Sequence, residues 1–150
     1  MDDKKIVITK NLAFPIEIVW DAWTREEKLK EWMAPEGWTI PDATIDLQVG
    51  GMIDIVMAGK PIKQIGSSGK VSFTGIYKII EKPKKLVFTW HWKGQKNETL
   101  VTIFFKLLSS TQTELQLIHE GFLDDTSVKE DTFAWKSTLK HLKQFLEKSL

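Results

Sequence analysis

The sequence has 150 residues, of which 42% are apolar and 27% charged, as expected for one globular domain with a substantial core. Its 21 basic and 20 acidic residues give a formal net charge of +1, so charge gives no reason to expect nucleic acid or an anionic membrane as a partner. There is no cysteine, which excludes disulfides, thiol catalysis and thiolate metal sites. The N-terminus lacks the apolar stretch of a secretory signal, and no apolar run is long enough to span a bilayer. We therefore expect a cytoplasmic protein.

The first third of the chain predicts a strand followed by two short helices. The segment "KKIVITKNL" (4–12) is rich in β-branched residues and predicts a strand. Pro15 suits the first position of a helix, and apolar residues at helical spacing extend that helix to about residue 23. Thr24 and Glu27 fit the T-x-x-E capping box, which predicts the start of a second short helix.

Six more strands are predicted from Thr39 onward. The first two flank Gly50-Gly51, which we expect to form a two-residue hairpin turn because glycine tolerates positive φ angles. A loop, "GKPIKQIGSSG" (59–69), follows; its "GSSGK" lacks the spacing of a phosphate-binding loop. The lengths and turn sequences favour an antiparallel meander. The predicted strands are "TIPDATIDLQV" (39–49), "MIDIVMA" (52–58), "KVSFTGIYKII" (70–80), "KLVFTWHW" (85–92), "TLVTIFFKLL" (99–108) and "TELQLIHEGF" (113–122).

The C-terminal segment predicts one long amphipathic helix. Ser127 and Glu130 fit a second capping box, and Asp124 and Asp125 before it suit a helix N-terminus. An apolar stripe then recurs at helical spacing; it consists of Val128, Trp135, Leu139, Leu142 and Leu146. Together the elements predict a single α+β domain over residues 1–150, with a seven-stranded sheet curved around this helix. A cavity is expected near the short helices, where the sheet and the long C-terminal helix do not pack closely.

Several segments in this order carry a family resemblance. They are Pro15-x-x-x-Val19-Trp20, "KLKEWMAPEGW" (28–38), Val49-Gly50-Gly51, "GIYKIIEKPKKLVFTW" (75–90), "TELQLIHEGF" (113–122), and Trp135 with Leu139 and Leu142. Over essentially the whole chain they resemble the helix-grip superfamily of START-like and Bet v 1-like domains (SRPBCC). More narrowly, they resemble the branch related to the C-terminal domain of the activator of Hsp90 ATPase. The resemblance implies a cavity between sheet and long helix that binds an apolar or aromatic small molecule in many members. It implies no shared catalytic residues, and we expect no cofactor.

The same resemblance raises a second function. Eukaryotic co-chaperones of this branch use a separate N-terminal domain to grip the chaperone, whereas this sequence begins directly at the first strand. We therefore expect binding of a small apolar or aromatic ligand as the leading function. A chaperone- or stress-linked protein-interaction module is the alternative, an enzyme is less favoured, and we expect a monomer or weak dimer.

Aromatic residues supply the candidate ligand-binding site. Phe88, Trp90 and Trp92 alternate along one strand and so point to one face, where they either wall a cavity or fill a dense core. Phe104 is a further candidate on a strand that is apolar on both faces, so alternation alone does not fix which face it occupies. Met33 and Trp38 are candidates for the cavity rim. The remaining candidate ligand contacts are Tyr77, Trp135 and Leu142.

His119 is the most informative polar residue. Strand alternation places it on the same face as Leu115 and Leu117, where an unpaired imidazole would be costly. It is either a structural histidine satisfied inside the protein or a polar anchor for a ligand. The three histidines lie on different predicted elements without metal-binding spacing, so we expect no metal site.

Overall fold

A seven-stranded antiparallel sheet and a 24-residue C-terminal helix form most of the structure. The computed structural model describes residues 4–59 and 69–148; most of the predicted loop 59–69 lies outside them. The elements follow the predicted order: β1 (Lys5–Leu12), α1 (Ile16–Thr24), α2 (Glu26–Leu29), β2 (Trp38–Ile45), β3 (Met52–Gly59), β4 (Lys70–Glu81), β5 (Lys85–Trp92), β6 (Glu98–Ser109), β7 (Gln112–Glu120) and α3 (Asp125–Lys148).

The sheet is a meander whose first strand pairs with its last. The strand order is β1-β7-β6-β5-β4-β3-β2, and every neighbouring pair is antiparallel. The register aligns inward side chains in rows across the sheet, because residues paired across antiparallel strands share a face. One row runs through Tyr77, Phe88, Val101, His119 and Ile6. The predicted α+β fold with a curved antiparallel sheet is confirmed.

The core lies between the inner face of the sheet and the helices α1 and α3. Trp20, Trp23 and Trp32 are at most 2% exposed. The Trp32 indole Nε1 donates to the carbonyl of Ala22 at 2.9 Å, and its ring meets Trp23 edge to face at 4.6 Å. These contacts hold the segment after α2 against α1. From α3, the buried side chains are Trp135, Thr138, Leu139, Leu142 and Leu146.

The predicted two-residue turn at Gly50-Gly51 is wrong. Strand β2 ends at Ile45 and β3 begins at Met52, so a longer connection joins them. The glycines instead pair with β4: Gly50 N donates to Tyr77 O at 2.8 Å, and Tyr77 N donates to Gly51 O at 3.0 Å. Gly50 has a φ of +87°, and a Cβ on Gly51 would lie 2.0 Å from Asp46 O. Glycine is therefore needed at Gly50 for its positive φ and at Gly51 for the close approach of the Asp46 carbonyl, and neither residue forms a tight hairpin.

Both predicted capping boxes are also wrong. The Thr24 hydroxyl donates to the carbonyl of Trp20 at 2.9 Å, so it serves the end of α1, and Arg25 occupies the N-cap of α2 without a side-chain bond. At α3, the Asp124 carboxylate accepts a hydrogen bond from the Ser127 amide at 2.7 Å. Asp124 is thus the cap, and the Glu130 side chain takes no part in it. Among the described residues, no helix is both long and apolar enough to cross a bilayer.

Candidate ligand-binding cavity

A cavity of about 460 Å³ lies between the first half of α3 and the inner face of strands β3, β4 and β5. The segment that follows α2 forms a third wall. This volume is within the range of sites that enclose small organic molecules. The cavity therefore lies near the short helices, where the sheet and the long helix were expected to pack less closely.

The sheet wall is built by alternation along β5. Trp90 and Trp92 both face inward and meet edge to face, with ring centroids 5.5 Å apart. Trp90 also stacks on Phe73 at 3.6 Å and 8°, which fixes the plane of its indole. Although Trp90 is only 6% exposed, its buried Nε1 has no hydrogen-bond partner in the protein. Met57 and Val71 complete this wall with apolar surface.

The helix wall combines an aromatic ring with two carboxylates. Trp135 lies on α3 one turn after Asp131, so both face the cavity, and Glu130 lines it beside them. One oxygen of Glu130, Oε2, is buried without a partner. Burial, reinforced by the negative charge of Glu130, raises the pKa of Asp131 to about 7. Phe133, also on this wall, is 77% exposed.

The third wall is tied to α3 by three polar contacts. His141 Nδ1 donates to the carbonyl of Ala34 at 2.6 Å, and His141 Nε2 lies 3.1 Å from Oε2 of Glu36. The amide of Glu36 donates to the Ser137 hydroxyl at 2.8 Å. Because this segment also contributes cavity-lining residues, these contacts hold one wall of the cavity in place.

The structure brings together half of the ten predicted site residues. The cavity is lined by Met33, Trp38, Trp90, Trp92 and Trp135.

Three other predicted residues lie in the core beside the cavity without lining it. Tyr77, Phe88 and Leu142 are buried, and the rings of Tyr77 and Phe88 meet edge to face at 6.1 Å. Burial raises the pKa of Tyr77 above its ordinary value, so its hydroxyl stays protonated. The aromatic residues of β5 therefore have two roles: Phe88 fills the core, whereas Trp90 and Trp92 line the cavity.

Phe104 does not point toward the cavity. On β6 the buried inward residues are Val101, Ile103 and Phe105, which places Phe104 on the opposite face. There it is 36% exposed, and the Lys85 ammonium lies 5.3 Å from its ring centroid. This corrects the expectation that Phe104 is a ligand contact.

His119 is fully buried and both of its ring nitrogens are bonded inside the protein. Nδ1 accepts from the indole of Trp135 at 2.9 Å, so in the neutral ring Nε2 carries the proton and donates to the Thr99 hydroxyl at 2.6 Å. Thr99 in turn donates to the carbonyl of Trp90 at 3.1 Å. Burial lowers the pKa of His119 to about 3. The imidazole orients two cavity-lining tryptophans and does not itself line the cavity.

Sequence reasoning missed the acidic wall. The capping-box pattern places Glu130 at the helix start, and no sequence motif described above includes Asp131. A signal was available, since Asp131 lies four residues before Trp135 on a helix whose Trp135 was expected to face inward. Within residues 4–59 and 69–148, no three His, Asp or Glu side chains are placed to hold a metal ion.

Comparisons with known proteins agree with the architecture. The chain is 23% identical to protein NE0264 from Nitrosomonas europaea, with a TM-score of 0.82 and coverage of 99% of this chain and 98% of that one. It is 25% identical to an AHSA1-like protein from Aeromonas hydrophila, with a TM-score of 0.77 and coverage of 97% and 93%.

A third similar structure is described as an HSP90 activator from Plasmodium falciparum. It is 20% identical, with a TM-score of 0.71 and coverage of 95% and 96%. No curated protein matches the sequence. The profile of the family "Activator of Hsp90 ATPase homolog 1-like protein" matches residues 13–147, nearly the whole chain. The chain therefore belongs to the activator of Hsp90 ATPase homolog 1-like family.

Proposed function

We propose that this protein binds a small apolar or aromatic molecule in the cavity between the sheet and α3. The observation that carries the proposal is a 460 Å³ space whose walls include four indole rings, those of Trp38, Trp90, Trp92 and Trp135. Large flat apolar surfaces around such a space favour a ligand with rings of its own, because apolar burial supplies most of the driving force.

Two further features support a bound molecule. Phe133 lines the cavity and is 77% exposed, so a ligand there would cover part of a ring that otherwise meets water. The orienting bonds among His119, Thr99 and Trp135 hold the walls rigid before binding, which reduces the entropic cost of association.

A pair of matched variants tests the proposal. Ala134 lines the cavity and Lys136 is exposed, so Ala134→Trp fills the space while Lys136→Trp adds the same ring outside it. A panel of fatty acids, flavonoids and polyketide-like aromatics is screened by tryptophan fluorescence, and hits are measured by calorimetry. We expect a ligand whose Kd is unchanged in Lys136→Trp and raised about tenfold or more in Ala134→Trp, since a filled cavity loses its contact surface. No hit at micromolar concentration, or hits that bind Ala134→Trp equally well, would contradict the proposal.

A chaperone-linked interaction is the second candidate function. It is favoured by the family match and by three exposed apolar residues in and beside the β2–β3 connection, Leu47, Val49 and Met52, which are 42%, 68% and 54% exposed. Contiguous exposed apolar residues are typical of protein-interaction surfaces. Stimulation of the ATPase of purified Hsp90, lost in Val49→Asp but retained in Ala134→Trp, would support this function. The reverse pattern would indicate that any effect on the chaperone acts through the cavity.

A further inference from the structure

The chemistry of the helix wall narrows the class of ligand. Among the described residues that line the cavity, Glu36, Glu130 and Asp131 are acidic, and Lys129 is basic. Lys129 and Glu36 are exposed, whereas Glu130 and Asp131 are partly buried. Glu130 and Asp131 are therefore the charged groups with the greatest effect on a ligand inside the cavity.

These two carboxyl groups are poorly satisfied within the protein. Glu130 Oε2 is buried with no hydrogen-bond partner, although an unpaired buried carboxylate oxygen is costly. Asp131 is adjacent in sequence and, like Glu130, partly buried, so the two neighbouring carboxylates repel each other where water screens them poorly. A positive charge inside the cavity would stabilise both carboxylates.

The surrounding tryptophans are suited to the same kind of group. The face of an indole ring attracts a cation and also packs against apolar surface. Three such rings lie around the cavity: the centroid of Trp90 is 5.5 Å from that of Trp92 and 5.4 Å from that of Trp135. A metal ion suits this site poorly, because hard cations require several oxygen ligands and no third acidic or histidine ligand joins the pair among the described residues. An organic ammonium ion uses both the carboxylates and the rings.

We propose that the cavity selects an aromatic or alicyclic molecule bearing a protonated amine, with the ammonium group at Glu130 and Asp131 and the ring system against the tryptophans. This inference rests on the proposed function and specifies the class of its ligand. It distinguishes the site from a general apolar cavity, which would prefer neutral molecules and exclude charged ones.

Three compounds with one ring system test the inference: 1-naphthylmethylamine, 1-naphthylmethanol and 1-naphthoic acid. By calorimetry at pH 7.5 and low salt we expect the amine to bind about tenfold more tightly than the alcohol and the acid to bind most weakly, in line with the strength of close charge pairs. In the double variant Glu130→Gln/Asp131→Asn the amine should lose that advantage, while the Kd of the alcohol stays within about twofold.

Each other outcome has a defined meaning. Binding of the alcohol as tightly as the amine, or an unchanged order in the double variant, overturns the inference and leaves the proposed function standing. Amine binding that persists in Ala134→Trp reflects pairing with surface carboxylates and also overturns the inference. Failure of all three naphthalenes together with the wider panel contradicts the proposed function itself.

Discussion

The indole Nε1 of Trp135 donates a hydrogen bond to Nδ1 of His119 at 2.9 Å. The bond joins α3 to β7 behind the cavity wall, and it sets the tautomer of a histidine that is 0% exposed. Because His119 Nε2 then donates to Thr99, whose hydroxyl donates to the carbonyl of Trp90, one chain of hydrogen bonds connects both large walls of the cavity. A histidine that does not line the cavity thereby helps to hold in place two tryptophans that do.

Replacing His119 by alanine should destabilise the protein strongly. The variant leaves a void among Trp90, Phe122 and Trp135, whose rings lie 4.6 to 6.1 Å from the imidazole, and it leaves the Trp135 N–H without its partner. We expect the free energy of unfolding to fall by roughly 3–4 kcal/mol, combining a core truncation with an unsatisfied donor. Urea denaturation measures the change. His91→Ala is the control, because His91 is only partly buried and its substitution should cost less than about 1 kcal/mol.

The pH dependence of stability should contain two opposing contributions. Burial lowers the pKa of His119 from 6.5 to about 3, so a penalty on the folded state develops as the pH falls through that range. Burial raises the pKa of Asp131 from 3.8 to about 7, so a penalty develops as the pH rises. Between about pH 3.8 and 6.5, the His119 contribution raises the free energy of unfolding as the pH increases, and the Asp131 contribution lowers it. Each contribution changes by up to about 1.4 kcal/mol per pH unit.

Two variants separate these contributions. In Asp131→Asn the His119 slope is unopposed, so stability should rise more steeply from pH 4 to 6.5 than in the wild type. In His119→Gln the Asp131 slope is unopposed, and stability should rise less steeply or fall. Other charged groups near Asp131, namely Lys129, Glu130, Glu36 and His141, are present in both variants, so the comparison isolates the two residues. Parallel curves for both variants would refute the assigned charge states.

The strands and helices were predictable because the apolar residues of each recur at the spacing typical of a strand or of a helix. The sheet face of β5 followed from alternation alone, which places Trp90 and Trp92 inward as observed. Phe104 could not be placed this way because Phe105 beside it is equally apolar. Its orientation is set by pairing with β5 and β7, which is information that no single strand contains.

The polar part of the site was harder to predict for a related reason. A capping-box spacing assigned Glu130 to the helix start, but the Asp124 carboxylate takes the Ser127 amide and displaces that arrangement. Local motifs compete for the same backbone donors, and tertiary packing decides between them. Because Asp124 caps α3, the Glu130 side chain takes no part in the cap, and it lines the cavity instead.

The identity of this cap can be tested directly. Because the Asp124 carboxylate accepts from the Ser127 amide and its pKa is lowered mainly by that bond, Asp124→Ala should lower the melting temperature measurably. Ser127→Ala should lower it less, since the backbone amide that makes the 2.7 Å bond remains in the variant and only the smaller side-chain contribution of Ser127 to the Asp124 carboxylate is lost. Calorimetric melting of both variants decides between them. A larger loss in Ser127→Ala would restore the capping box that the sequence pattern suggested.

Loss of the His141 side chain should loosen one wall of the cavity without unfolding the protein. His141 binds the carbonyl of Ala34 and lies against Glu36, while the Ser137 hydroxyl still holds the Glu36 amide. In His141→Ala we expect faster amide exchange in residues 33–38 and a Kd for a cavity ligand that rises roughly threefold to tenfold, because a wall that must be ordered on binding costs affinity. Exchange mass spectrometry and calorimetry measure these two effects.

Lys140→Ala is the matched control, since Lys140 precedes His141 on the same helix and is exposed. It should change neither quantity. Weaker ligand binding in His141→Ala without faster exchange at 33–38 would mean that the imidazole acts on the ligand through its charge and not through the wall. Faster exchange without weaker binding would mean that the ligand does not depend on this segment, although Met33 and Trp38 line the cavity. Only the joint change supports a wall held in place by His141.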